Sequence, residues 1–253
     1  MKKHTHRSAE VEAGMLIDSN TPFSVVEAYR SLYSNILFTP IDSKCKKLVV
    51  TSAYSGEGKT TLSINLAYTI ASMRPEARVL LVDSDMRNPS IEERIANGRE
   101  RVHGLSEFLA GIDEGPCIQP TKYSNLSFLS SGETNANAPA LLSSSRMGAL
   151  VAVFDEGYDY VIIDTPPVNV VTDAVFLSDH CDGYIISTRS DYSEVGAVSE
   201  LVKKLRSVEA KIIGIVLAGV ETKEAKNHAY YDGRLGYGGS RKESESEGAS
   251  PKK

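Results

Sequence analysis

Long apolar runs are missing from this sequence. Stretches such as VLLV at 79–82 and YVII at 160–163 are short, far below the ~18 residues needed to cross a bilayer. The charged start MKKHTHR is followed by SAEVEAG and not by an apolar stretch, so no signal peptide is read. Cysteines are few. Cys45, Cys117 and Cys181 are odd in number and far apart, with no C-x-x-C pair. That excludes a disulfide framework and a cysteine-rich zinc site, and it suits a reducing cytosol. Positive charge is not in excess. The formal net charge is −5, so no overall basic field argues for nucleic acid as a partner. His103, His180 and His228 lack metal-ligand spacing, and no internal repeat is visible.

What is present is an ordinary globular composition, 41% hydrophobic and 24% charged over 253 residues, enough to bury a proper core. Residues 1–20 are polar and read as a flexible start. A helix pattern covers Phe23–Phe38, with Val26, Tyr29, Tyr33, Ile36 and Leu37 at spacings of three and four. Apolar strands and helices then alternate. Strands are expected at 47–52, 78–83, 126–129, 158–164, 183–188 and 212–218. Helices are expected at 59–73, 105–109, 140–154, 174–178 and 193–208. Continuous apolar strands separated by helices imply a three-layer α/β fold with a mostly parallel central sheet and helices on both faces. Residues 21–221 form the expected domain. Residues 222–253 are rich in Gly, Ser, Lys and Glu and read as a disordered tail.

The stretch A-Y-S-G-E-G-K-T at 53–60 follows the first strand and opens a helix. It is the phosphate-loop pattern G-x-x-x-x-G-K-[ST] with Ala53 in the first position. Gly56 and Gly58 let successive N–H groups curl inward toward phosphate oxygens, and the helix that follows adds its positive end. Lys59 can reach the β- and γ-phosphates, and the Thr60 hydroxyl can take a place on Mg²⁺. Two further strands end in carboxylates. VLLVDSDMR at 79–87 puts Asp83 and Asp85 past one, and YVIIDTPP at 160–167 puts Asp164 past another. Any one of these could cap a following helix. Together, beside a phosphate loop, they point to metal and nucleophile chemistry.

These motifs resemble the bacterial tyrosine kinases of capsule and exopolysaccharide assembly, a P-loop ATPase family. SGEGKTT, VDSDMR with the following Pro89, and IIDTPP match that family's three Walker-type motifs. GLSEFLAG (104–111), LSFLSSG (126–132) and DTPPVNVVTD (164–173) extend the likeness from about residue 23 to 220. The resemblance implies an ATP- and Mg²⁺-dependent protein-tyrosine kinase. It places Ser55, Gly56, Glu57, Gly58, Lys59, Thr60 and Thr61 around the nucleotide. Arg87 either adds charge there or pairs structurally with a carboxylate. Thr60, Asp83 and Asp164 would serve the metal, Asp164 through water. Asp83 and Asp85 would sit near the incoming tyrosine hydroxyl, one of them as base, and Lys59 and Asp164 complete the catalytic set. A phenol with pKa near ~10 needs such help at neutral pH.

The same resemblance gives the tail a meaning. NHAYYDGRLGYGG at 227–239 carries Tyr230, Tyr231 and Tyr237, which would be phosphoacceptors presented to a neighbouring subunit on a flexible tether. It implies a cytoplasmic protein held at the inner face of the membrane by a membrane-anchored polysaccharide chain-length regulator that activates it. A tyrosine phosphatase and a ring of copies of itself are the other implied partners. Glu27 and Arg30 match the family's Glu-x-x-Arg-x-x-Arg oligomer contact, with Tyr33 in place of the second arginine. A solvated pair on a helix face is the alternative. Ala218 stands where related ATPases carry an adenine-contacting asparagine. Two other functions stay open: an ATP switch of the partition and cell-division type, and a catalytically weak nucleotide-binding scaffold. Against the switch stands the absence of its Lys-Gly-Gly loop start, where Tyr54 and Ser55 occupy the corresponding places.

Overall fold

The computed structural model of the protein describes residues 16–95 and 103–220. Tyr230, Tyr231 and Tyr237, the expected acceptors, lie outside the described residues. The elements in chain order are α1 (Phe23–Phe38), β1 (Lys46–Ser52), α2 (Lys59–Met73), β2 (Val79–Asp83), α3 (Ile91–Ile95) and α4 (Leu105–Leu109). Then come β3 (Ile118–Pro120), β4 (Leu126–Leu129), α5 (Ala138–Leu142), α6 (Ser145–Gly157) and β5 (Tyr160–Asp164). A 3₁₀ helix (Asp173–His180), β6 (Gly183–Arg189), α7 (Val195–Arg206) and β7 (Ile212–Ala218) complete the described chain.

The strands form one sheet in the order β3-β4-β2-β5-β1-β6-β7. Its pairs are parallel except β3 with β4. Successive residues of a strand point to opposite faces, and the core divides accordingly. Leu48, Val50, Leu81 and Ile162 meet α1 and α2 on one face. Val49, Leu80, Val161 and Ile186 meet α6 and α7 on the other. This is the expected three-layer α/β architecture with a mostly parallel sheet.

Helix α2 is buried along almost its whole length, from Thr60 and Leu62 to Ala71. It lies between the sheet and α1, so it needs no polar face. The chain just before α1 is tied to it as well. Ile17 donates its backbone N–H to the side-chain oxygen of buried Asn65 at 2.9 Å, and Leu16 packs on the same core. These two residues fall within the stretch read from sequence as flexible.

Several elements differ from the expected pattern: α3 was not expected, and the short helix expected at 174–178 is a 3₁₀ helix over Asp173–His180. The helix expected at 140–154 is two helices, broken at Ser143 and Ser144. Ser143 turns its hydroxyl back onto the carbonyls of Pro139 and Ala140, and Ser144 is extended, with φ −76° and ψ 158°. Serine hydroxyls compete in this way with continued helix. The short antiparallel strand β3 carries no usable periodicity in three residues, and its pairing with β4 defines it.

Tyr33, which departs from the oligomer motif, faces the core as the helix spacing implies. It is 2% exposed, and its hydroxyl lies 3.4 Å from that of Tyr160 and accepts from Arg74 at 3.3 Å. It is a core residue of α1. Glu27 and Arg30 pair with each other at 2.6 Å on the exposed side of that helix. Tyr33→Ala is expected to lower stability by about 3 kcal/mol through the cavity it leaves, whereas Glu27→Ala costs less than about 1 kcal/mol. Urea denaturation of the two variants measures the difference.

Candidate active site

The parallel strands end along one edge of the sheet, and the loop from Ala53 to Gly58 leaves β1 there. Gly56 (φ +84°) and Gly58 (φ +86°) are both left-handed, a conformation that side chains with a Cβ disfavour. Gly58 turns the chain directly into α2, which opens at Lys59. The first N–H groups of that helix lack intrahelical acceptors and carry its positive end. Ser55 and Gly56 are exposed, while the Glu57 side chain is buried. Glu57 folds inward, accepting from the Tyr54 N–H at 2.9 Å and from the Ser193 hydroxyl. Its side chain therefore braces the loop from within.

Strand register gathers the carboxylates. Asp83 and Asp164 are direct neighbours across β2 and β5, and Val50 of β1 is level with Asp164. Lys59 reaches over them. Its ammonium lies 3.1 Å from Asp85, 3.7 Å from Asp164 and 3.2 Å from the Thr60 hydroxyl. Thr60 donates to one oxygen of Asp164 at 2.7 Å, and Ser63 donates to the other at 2.9 Å. Burial works against the Lys59 ammonium, but Asp164, Asp85 and Asp83 outweigh it and hold its pKa above the usual lysine value. Asp83 and Asp164 are both held above the usual carboxylate range. For each, burial is the main cause, with a neighbouring carboxylate adding to it.

Asp83 and Asp85 play unlike parts in the loop that follows β2. Asp83 accepts three backbone N–H groups, from Asp85 at 3.1 Å, Ser90 at 3.2 Å and Ile91 at 3.1 Å. It so shapes the 84–91 turn and caps α3. Asp85 accepts from the Asn88 N–H at 3.0 Å with one oxygen and faces Lys59 with the other. Arg87, for which two roles stood open, is engaged structurally. Its guanidinium donates twice to Asp173, at 2.8 and 3.1 Å, and that carboxylate is fully buried. Thr61 accepts from Arg94 at 3.1 Å. Ala218 lies close to the phosphate loop, 3.8 Å from where a Cβ on Gly58 would stand.

Ser63 and Asp173 escaped the sequence reading. Ser63 had a signal: it follows Thr60 by three residues, so both hydroxyls share one helix face. Asp173 closed the DTPPVNVVTD stretch, but nothing local named its partner, which lies 86 positions away.

The donor set suits a hard divalent cation. Asp85 and Asp164 flank a single ammonium, Asp83 is the strand neighbour of Asp164, and the hydroxyl of Thr60 donates to Asp164. Among the described residues, no three carboxylate, imidazole or thiol groups converge tightly enough to hold a metal by themselves.

Comparison with known proteins gives a consistent answer. The AAA domain family matches residues 45–215. Tyrosine-protein kinase CpsD of Streptococcus pneumoniae serotype 4 is 35% identical over 194 residues, covering 76% of this chain and 82% of that protein. Tyrosine-protein kinase YwqD of Bacillus subtilis is 32% identical over 206 residues, covering 81% of this chain and 85% of that protein. Among solved structures, the kinase domain of Escherichia coli tyrosine kinase ETK superposes with a TM-score of 0.74 at 28% identity. That match covers 88% of this chain and 86% of the other.

The Arg87–Asp173 pair generates a stability prediction. Arg87→Ala strands a fully buried carboxylate, which costs about 3 kcal/mol. Arg87→Lys, which keeps the charge but not the two-pronged geometry, should recover part of that loss. Chemical denaturation of both variants checks the ranking.

Proposed function

This chain belongs to the bacterial tyrosine-protein kinases, enzymes built on the nucleotide-binding P-loop fold, and from that premise we propose that it transfers the γ-phosphoryl group of Mg-ATP to tyrosines of its own tail. The observation that carries this reading is the charge arrangement around Lys59. One ammonium is shared between Asp85 and Asp164 at the mouth of a glycine-bearing loop.

In this reading the loop from Ser55 to Gly58, with Lys59, Thr60 and Thr61, receives the phosphates. Thr60, Asp164 and Asp83 would hold the cation, Asp164 through water. Mg²⁺, when bound, neutralises charge on the β- and γ-phosphates. Arriving phosphate oxygens compete with Asp85 for the Lys59 ammonium. Asp85 is then free to accept the proton of an incoming tyrosine hydroxyl. The phenolic oxygen bonds to the γ-phosphorus as the bond to the ADP oxygen breaks, and the proton passes to the carboxylate. Asp83, whose oxygens accept three backbone N–H groups, is better placed to shape the site than to take that proton. Most of the acceleration would come from positioning and charge neutralisation.

Tyr230, Tyr231 and Tyr237 are the proposed acceptors, delivered in trans to a neighbouring copy. Glu27 and Arg30, on the exposed side of α1, are available to a subunit contact. No described helix is long and apolar enough to cross a membrane. In this reading a membrane-anchored chain-length regulator supplies attachment and activation, and a tyrosine phosphatase the reversal. The proposed physiological role is control of capsule or exopolysaccharide synthesis and export.

Incubation of the full chain with Mg-ATP and a candidate activator fragment, followed by peptide mass analysis, tests this. Phosphate is expected on Tyr230, Tyr231 or Tyr237, and it should vanish with Lys59→Met. Asp85→Asn should cut transfer by at least about 100-fold, within the range that general-base removal produces, while ADP still binds. Deleting residues 228–239 should abolish most self-labelling. ATP consumption without any phosphotyrosine would instead favour the partition-type switch.

A further inference from the structure

A phosphate loop works by pointing peptide N–H groups inward. The peptide unit is planar and trans, so the C=O of one residue and the N–H of the next point in opposite directions. Inward N–H groups therefore demand outward carbonyls, and how those carbonyls are held decides how firmly the N–H groups are aimed. Here every carbonyl from Tyr54 to Gly58 has a donor. Tyr54 accepts from the Ser52 hydroxyl at 2.7 Å, and Gly58 accepts from the Leu62 N–H of α2 at 2.9 Å. The three between are served by one stretch of chain at the end of β6. Tyr192 donates its hydroxyl to Ser55 at 3.0 Å, Arg189 donates to Gly56 at 3.3 Å, and Ser187 donates to Glu57 at 2.6 Å.

The stretch is built to make these contacts. Ser187 is fully buried beneath the loop. Asp191 adopts φ +57°, a turn conformation uncommon outside glycine. Tyr192, just after that turn, comes back over the loop. A Cβ placed on Gly56 would lie 3.3 Å from the Tyr192 hydroxyl oxygen. The Arg189 guanidinium stacks on the same ring, 5.6 Å from its centroid. Next in the chain, Ser193 holds the Glu57 carboxylate. Tyr192 is 55% exposed, so its ring contributes little to the core, and its hydroxyl is directed at the loop.

We propose that Ser187, Arg189 and Tyr192 are positioning residues that clamp the outer carbonyls of the phosphate loop and so preset its N–H groups for anion binding. The inference rests on the nucleotide reading above. Ordering the loop before the ligand arrives removes that ordering cost from the binding step. The clamp acts on phosphates, not on the base, and this distinguishes it from a general contribution to stability.

The test compares full-length protein with its Tyr192→Phe variant by titration calorimetry, using Mg-ADP and, separately, Mg-tripolyphosphate. The second probe carries no base and reads the loop alone. The substitution keeps the ring and its stacking with Arg189 and removes only the hydroxyl. Both ligands are expected to bind about three- to tenfold more weakly to the variant, by the same factor, as the loss of one aimed hydrogen bond predicts. Unchanged affinity for both ligands, or a loss confined to one, overturns the clamp. If the unsubstituted protein binds neither ligand, the nucleotide reading itself falls, so the two failures are distinguishable.

Discussion

Lys59 answers more negative charge than it carries. Asp85 and Asp164 lie at 3.1 and 3.7 Å from its ammonium, and Asp83 stands beside Asp164 across the strand pair. Burying such a group without a full complement of positive charge is unfavourable. The surrounding structure offsets part of the cost with hydrogen bonds. Thr60 and Ser63 serve Asp164, and three backbone N–H groups serve Asp83. What is left is a site short of positive charge at the edge of a phosphate loop. Electrostatics of that kind favour arrival of a divalent cation together with the phosphates it accompanies.

The rest of the architecture keeps those charges where they are. Parallel pairing of β1, β5 and β2 sets the level at which each strand ends. Helix α2, buried between the sheet and α1, cannot shift without disturbing packing on both sides. Its first turn therefore delivers Lys59, Thr60 and Ser63 to one place. The loop after β2 is tied to the segment after β5 by Arg87 and Asp173. The two carboxylate-bearing loops are thus joined to each other, and the end of β6 with the turn after it holds the carbonyls of the phosphate loop. The chemistry of a tyrosine kinase asks for this rigidity, because aligning a phenol with a phosphorus atom accomplishes most of the work.

Much of the fold was legible in the sequence. The spacing of Val26, Tyr29, Tyr33 and Ile36 marked α1, and the motif opening at Lys59 marked α2. Both helices keep the expected bounds. Apolar runs marked the central strands. Local rules failed where several weak preferences competed. Ser143 and Ser144 broke a helix that periodicity carried through, and β3 is defined by its pairing with β4. At α1 the spacing already put Tyr33 on the apolar face, and its ring lies in the core against Tyr160.

The sequence by itself determined the chemical identity of the site. A glycine-bearing loop between a strand and a helix, with lysine, threonine and strand-end aspartates, follows from short-range spacing that needs no other information. Only the tertiary structure decided how those groups divide their work. It turned Asp85 toward Lys59, gave Arg87 to Asp173, and brought Ser187, Arg189 and Tyr192 onto the carbonyls of the phosphate loop. The physical reason is distance along the chain. Contacts between residues dozens to more than a hundred positions apart are set by strand order and register, which no local pattern of residues encodes.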